Sequence, residues 1–387
     1  MALVWAFTFD GISSSGTFQD NNGGAYYLLQ DGWGYSYWHN YSPDRCEAQL
    51  GYKPRQPLVG YGGSTRALQV WGNTGLFPQS YCWVYTKYAA FPGLDDGIFQ
   101  FHYQQDNTST LKIIDVLAED GTVLFQLYPS GSNLRVLYRN TSGSMLEALV
   151  TVATIGTYQW HTIALRMKCH ATEGKVEVCV DGGVVATSTD LEMGATYGAK
   201  KWNRFILNGP YAAQYSSRYF AQLSVYDNNG DNALSIQKWV AWAPARVDVD
   251  IGAWTDEAAG TTNLYDGVDE IDIVNTDYCT TNGVGVPGSL EDEIWFSPNT
   301  DESINAAWAP LAIDGVCVNG VARGDGELGS GHLLVASAGN ASPQAGTAKV
   351  LTTSSRLMPV LVQPTNPAGG ALTKALVNAL EFGLKVN

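Results

Sequence analysis

Residues 157–188 read TYQWHTIALRMKCHATEGKVEVCVDGGVVATS, and this stretch decides the fold. Ile163, Leu165 and Met167 recur at every second position, and so do Val176, Val178 and Val180. A period of two puts each set on one side of a strand, with the intervening residues on the other. Between VEVCV and VVATS stands Asp181-Gly182-Gly183. Asp-Gly readily takes the positive φ of a tight hairpin turn. The stretch therefore predicts consecutive antiparallel strands.

The same grammar continues upstream. Phe99, Phe101 and Tyr103 alternate in IFQFHYQQ, Val123, Phe125 and Leu127 in TVLFQLYP, and Leu134, Val136 and Tyr138 in NLRVLYRN. Asp120-Gly121 separates IIDVLAE from TVLFQLY. Strand, turn and strand at about ten-residue spacing indicate an antiparallel sandwich or barrel. No βαβ rhythm and no internal repeat is present.

Composition agrees. Of 387 residues, 45% are apolar and only 15% charged, with 42 Gly, 12 Trp and 21 Tyr, so a β-rich core with many turns is expected. The length suggests two domains. A polar loop, VYDNNGDNALS, marks a boundary between residues 227 and 250, and we assign 1–245 to the first domain and 246–387 to a second, smaller β-sandwich. Near the C-terminus Leu372, Leu376 and Leu380, with Ala375 and Ala379, fall at helical spacing, and Gly383 is expected to stop that core-facing helix.

The net charge of −15 argues against nucleic acid and against an anionic membrane surface. The N-terminus lacks the basic and apolar regions of a secretory signal, and no run approaches the length of a membrane span, so a soluble chain made in the cytoplasm is expected. Six Cys show no CxxC pair and no zinc spacing with the His residues. Cys169 and Cys179 flank a hairpin and invite a disulfide check, but buried free thiols are the default in such a compartment.

TYQWHTIALRMKC, GKVEVCVDGGVVATS and AQLSVYDNNGD together resemble the concanavalin-like or laminin-G-like jelly roll. The resemblance lies in Trp160-His161 entering a strand, in Val180-Asp181-Gly182 ending one, and in a closing strand with Asp227 and Asp231 in its loop. The order of segments in the C-terminal half, ending in GGALTKALVNALEFGLKV, is similar to that of tailed-phage virion proteins with a lectin-like domain before a second β-domain. That resemblance implies a non-catalytic virion component: a capsid decoration, head spike or tail-associated part, assembled in the host cytoplasm. It would dock on other virion proteins as a small homo-oligomer, with a trimer as our guess, and contact host surface glycans. Outside the virion, a glycan-binding adhesion lectin is the alternative, and a β-glucan hydrolase a third.

Candidate chemistry is sparse. Glu270 and Asp272 in DEIDIV share a strand side, as the carboxylates of a retaining glucanase do. The acid/base is missing, because Asn275 stands three residues after Asp272 and an amide cannot exchange a proton in that role. Asp10, Asp227 and Asp231, with Asn228, Asn229 and Asn232, offer the oxygen ligands calcium takes. The same residue types also build ordinary polar turns. Trp33, Tyr35, Tyr37, Trp38 and Tyr41 interleave with Gly and Asp in YYLLQDGWGYSYWHNYSPD. They suit a glycan-binding loop that stacks sugar faces, or a buried aromatic seam or subunit contact. Arg323-Gly324-Asp325 and the sequons at Asn40, Asn107, Asn140 and Asn340 read as composition.

Overall fold

The computed structural model describes residues 2–7, 33–38, 46–52, 66–72, 81–86, 91–106, 111–152, 155–209, 216–228, 245–250, 254–256, 279–281, 292–298, 313–318, 320–322, 329–339, 341–351, 356–357 and 361–386. These divide into two compact units, one holding every strand up to residue 227 and the other every strand from residue 245 on. Almost all of both is antiparallel β-structure, in keeping with β-sandwich jelly-roll domains.

Two sheets make up the first unit. One joins β13 (Gly183–Leu191), β12 (Gly174–Val180), β11 (His161–Lys168), β6 (Asp96–Gln105), β15 (Ser216–Asp227), β4 (Arg66–Gly72) and β3 (Cys46–Tyr52) in that order, with β1 (Ala2–Phe7) also on β15. The other joins β10 (Met145–Val150), β9 (Asn133–Arg139), β8 (Val123–Ser130), β7 (Ile114–Ala118), β14 (Trp202–Asn208), β5 (Tyr81–Thr86) and β2 (Trp33–Trp38). The alternating residues read from sequence form the interior. Phe99 stacks on Phe205 with centroids 4.1 Å apart and planes 12° apart, and Phe91 meets the edge of Trp202 at 5.5 Å. Such offset and edge contacts add to the area these rings bury.

The turns obey the expected chemistry. Asp181 and Gly182 both have positive φ, 50° and 86°, and Val180 pairs with Gly183 across them. This two-residue loop matches the strands' right-handed twist. At the other Asp-Gly the loop is three residues long, with Gly121 at φ 84° and Thr122 N–H donating to Asp120 Oδ1. Cys169 and Cys179 are buried thiols outside any disulfide. The register explains why no disulfide joins them: Cys179 stands opposite Ala164. Burial pushes the Cys169 thiol well above the usual range.

The second unit is built on a sheet ordered β16 (Ala245–Asp250), β19 (Asp292–Pro298), β27 (Glu381–Val386), β22 (Ser330–Ser337), β23 (Ala341–Ala345), with β24 (Lys349–Val350) on β22. A ribbon of β20 (Val316–Val318) and β26 (Leu361–Gln363) packs on it through a cluster containing Val318, Leu333, Val335, Leu351, Leu372, Val377 and Leu380. The C-terminal helix is present but shorter than its Leu spacing suggests, Lys374–Asn378 (α2; α1 is Gly194–Gly198). Thr373 caps its N-terminus by accepting from Leu376 N–H. Leu372 and Leu380 flank it as buried residues, whereas Leu376 is exposed. Gly383 does not stop this helix. The helix ends at Ala379, and Gly383 lies inside β27, opposite Trp295 and Leu334.

Candidate functional site

The side of β6 away from the aromatic interior carries Ile98, Gln100, His102 and Gln104, which alternate with Phe99, Phe101 and Tyr103. All four are buried, the polar three at 0–1% exposure. Thr162 pairs with His102, Ala221 flanks it on β15, and Ser224 stands beside Gln100. Between those last two lies a bulge, where Gln222 is held at φ 50°. Bulges mark a change of pairing. Here the far side of β15 passes from β4, which ends its register at Phe220, to β1, which begins at Leu223. Gln104 Nε2 and Ser224 Oγ are buried with no hydrogen-bond partner in the chain. Two amides and an imidazole suit neutral, hydroxyl-rich groups. At this burial, however, the row faces the folded chain and not a diffusing ligand.

At one end of this face a fully buried guanidinium gathers the charges. Arg166 binds Asp96 through both forks, Nε to Oδ1 at 3.0 Å and Nη2 to Oδ2 at 2.7 Å, and Glu177 through Nη1 at 3.0 Å. With its amide oxygen turned toward the guanidinium, Asn228 accepts from Nε at 2.7 Å and Nη2 at 3.1 Å. A planar fork satisfies paired carboxylates in a way an ammonium cannot. Asp227 is the neighbour of Asn228 and pairs with Gly97. Of the residues read as calcium ligands, Asp227 is thus placed at the end of β15, and Asn228 is committed to Arg166. Asp10 and Asp231 lie outside the described residues. Among the described residues no three His, Cys, Asp or Glu side chains gather as a metal cluster.

At the start of β11, in register with Tyr103, is a histidine–aspartate pair that the sequence singled out for its fold and not its chemistry. His161 Nδ1 lies 2.8 Å from Asp181 Oδ2, and Thr162 N–H donates to Asp181 Oδ1 at 2.8 Å. The far nitrogen, Nε2, accepts the backbone N–H of Gly156 at 3.1 Å. With Nε2 accepting, Nδ1 is the nitrogen that donates to Asp181, and both ring nitrogens are engaged. A general base must offer a free lone pair to substrate, and this ring offers none. The pair ties the start of β11 to the β12–β13 turn.

Burial opposes the charge of Asp181, but the hydrogen bonds from His161 and Thr162 outweigh it and hold the carboxyl below its ordinary value. A depressed folded-state value adds stability above the unfolded value, and that stability is lost as pH falls through the folded one. Asp181→Asn is therefore expected to flatten the loss of thermal stability below about pH 4. Because Asp181 is half exposed, the change is a fraction of a kcal/mol. Melting curves of both proteins across the acid range check this, and identical slopes would refute it.

The aromatic segment is corrected in kind. Residues 33–38 are not a loop but strand β2, in unbroken register with β5 from Trp33↔Thr86 to Trp38↔Tyr81. Among the described strands β2 stands at the end of its sheet. Positions 33, 35 and 37 therefore fall on one side of the strand and 38 on the other. Tyr41, the Glu270–Asn275 stretch and Arg323-Gly324-Asp325 lie outside the described residues. The buried row on β6 was missed by sequence reasoning. Its signal was present in IFQFHYQQ, whose alternate positions are Gln, His and Gln, where a solvent-facing strand carries charge.

No helix among the described residues is long and apolar enough to cross a membrane. No protein-family model matches the chain. No curated protein matches it either. Among solved structures it is similar to a carbohydrate esterase from a Shiga toxin-encoding bacteriophage, with 14% identity and a TM-score of 0.34 over 58% of this chain and all of that one. It is also similar to the binding domain of botulinum neurotoxin DC in complex with rat synaptotagmin II, with 11% identity and a TM-score of 0.33 over 87% of this chain and 92% of that one. A sialidase aligns at 12% identity and a TM-score of 0.35 over 56% of this chain but only 19% of the sialidase's own length.

Proposed function

We propose that this chain is a non-catalytic binding and building component of a tailed-phage particle, whose jelly roll presents a contact surface to host glycans. The observation that carries the non-catalytic part is the engagement of the jelly roll's buried and part-buried charges with one another. The His161 ring has both nitrogens occupied, and Asp96 and Glu177 are committed to Arg166. Groups held in this way rigidify a platform and are not themselves poised as an acid/base pair for substrate. The virion assignment rests on the order of segments in the sequence, with assembly in the host cytoplasm and docking as a homo-oligomer, taken as a trimer. The glycan part rests on Trp33, Tyr35, Tyr37 and Trp38, which belong to a regular strand at the end of its described sheet. Calcium at Asp10, Asp227 and Asp231 belongs to the same proposal, and chelation by EDTA is expected to lower the melting temperature.

Gold-labelled antibody on purified particles tests the location, with labelling at a fixed position expected and absence from particles refuting it. A glycan array tests the ligand. Selective binding is expected to drop at least tenfold in Trp33→Ala or Tyr35→Ala, and an array without hits removes the glycan. Release of reducing sugar from β-glucan that vanishes in Glu270→Gln would replace the proposal with a hydrolase.

A further inference from the structure

On the outer side of the second sheet of the jelly roll, one carboxylate gathers an amine and two primary amides. Asp115 lies in β7 with no exposed surface. Its Oδ2 is 2.7 Å from Lys112 Nζ and 3.4 Å from Asn208 Nδ2, and its Oδ1 accepts from Gln126 Nε2 at 2.6 Å. Asn208 closes β14, the neighbour of β7, and is itself buried. The amine of Lys112 and the amide of Asn208 thus converge on one oxygen, although 96 positions (208 − 112) separate them in sequence.

A second feature holds this geometry. Arg218 comes from β15 in the opposite sheet and is fully buried. Its Nη1 donates to the carbonyl of Lys112 at 2.6 Å and to that of Asn208 at 3.1 Å. The same group reaches Gly209 O at 3.2 Å, and Nη2 donates to Leu111 O at 2.7 Å. Asn208 N–H also donates to Ile113 O at 2.8 Å. One guanidinium therefore clamps the two backbones that carry the amine and the amide. Gln126 on β8 receives no such clamp.

We propose that Lys112 and Asn208 are joined by an intramolecular isopeptide bond formed by the protein itself, with Asp115 as the catalytic residue. Asp115 takes one proton from the Lys112 ammonium, and the free amine adds to Cγ of Asn208. The bond between Cγ and Nδ2 then breaks. The departing nitrogen gains the second Nζ proton and the proton held by Asp115, and leaves as ammonium. An ammonium and a primary amide become a secondary amide and a new ammonium, and Asp115 ends ionised as it began. No oxidant, reductant or co-reactant enters. A lysine amine becomes a nucleophile when an adjacent general base deprotonates it, and here the base is fully buried while the lysine stem is one-third exposed. Fixed proximity replaces the encounter that makes the same reaction immeasurably slow between free side chains.

The bond would tie the segment that enters β7 to the end of the neighbouring β14. The test is the intact mass of the purified full-length protein under denaturing conditions, after accounting for processing of the first methionine. The expected mass is lower than the sequence mass by one ammonia, and proteolytic mapping is expected to yield a branched peptide joining Lys112 to Asn208. Lys112→Arg, Asn208→Ala and Asp115→Asn should each be found at their sequence masses. A wild-type protein at its full sequence mass overturns the proposal. So does an ammonia loss that maps to Lys112 and Gln126, or one that persists in Lys112→Arg. Each reading is made on unfolded protein, so a variant that folds poorly still reports.

Discussion

Arg166→Ala should lower the free energy of unfolding by about 3–5 kcal/mol, the cost of stranding buried charge. The guanidinium is wholly buried, and it neutralises Asp96 on β6 and Glu177 on β12 from its own place on β11. Removing it leaves two carboxylates, one 15% and one 8% exposed, facing each other across the strand that held them apart. Lys175 lies 3.4 Å from Glu177 Oε1 and recovers a little of the loss, while Lys168, the register partner of Asp96, is turned to Glu173 at 3.8 Å. Urea titration of the full chain checks the size of the effect through the transition midpoint at unchanged slope. The triple variant Arg166→Met, Asp96→Asn, Glu177→Gln separates the two components. If the cost is stranded charge, the triple variant recovers most of the stability. If the guanidinium was chiefly filling space, Arg166→Met alone recovers it. A loss below 1 kcal/mol in Arg166→Ala would mean that water reaches the carboxylates.

This cluster also shows where sequence reading stops. The hairpin of β12 and β13 was legible as a turn, since Asp181-Gly182 is a local signal, although the register shift between Val178 and Cys179 carries no local mark. The interior side of β6 was legible for the same reason, because alternation is a property of the strand alone. The opposite side of β6 was not, since Gln100, His102 and Gln104 are polar residues that only tertiary packing buries. Arg166 is 70 positions from Asp96, and nothing local ties them. For the aromatic run from Trp33 a loop was one of the readings left open, because the interleaved Gly and Asp are turn residues, while the ladder to β5 that makes it a strand is a contact some 50 residues away. Asn228, read from sequence as one oxygen donor of a calcium site, meets the guanidinium of Arg166, which the sequence places in another strand.

Gly383→Ala should cost about 3 kcal/mol, at the upper end of what an overpacked site loses. Helical spacing made Gly383 look like the end of a helix, but its place in β27 gives it a stricter task. A Cβ on Gly383 would sit 1.9 Å from the carbonyl oxygen of Ile294 and 3.3 Å from the Cα of Trp295. Both are backbone atoms of β19, so no side-chain rotation relieves the clash. Relief requires β27 to move away from β19, which breaks the ladder from Asp292↔Val386 to Phe296↔Phe382. The same displacement reaches β22, because β27 is hydrogen-bonded to both strands and Leu334 faces Gly383 from the other side. The buried cluster around Leu333, Val335 and Leu380 rests on that arrangement. Hydrogen exchange should therefore show lost protection in the amides of β19, β27 and β22 together, with the short α2 helix fraying alongside them. Gly339→Ala is the control, since a Cβ there meets nothing within 4 Å, although its φ of 74° costs any side chain about 1 kcal/mol. If the two substitutions cost the same, the tight approach of β27 to β19 is not what demands glycine, and the residue is replaceable wherever its φ permits.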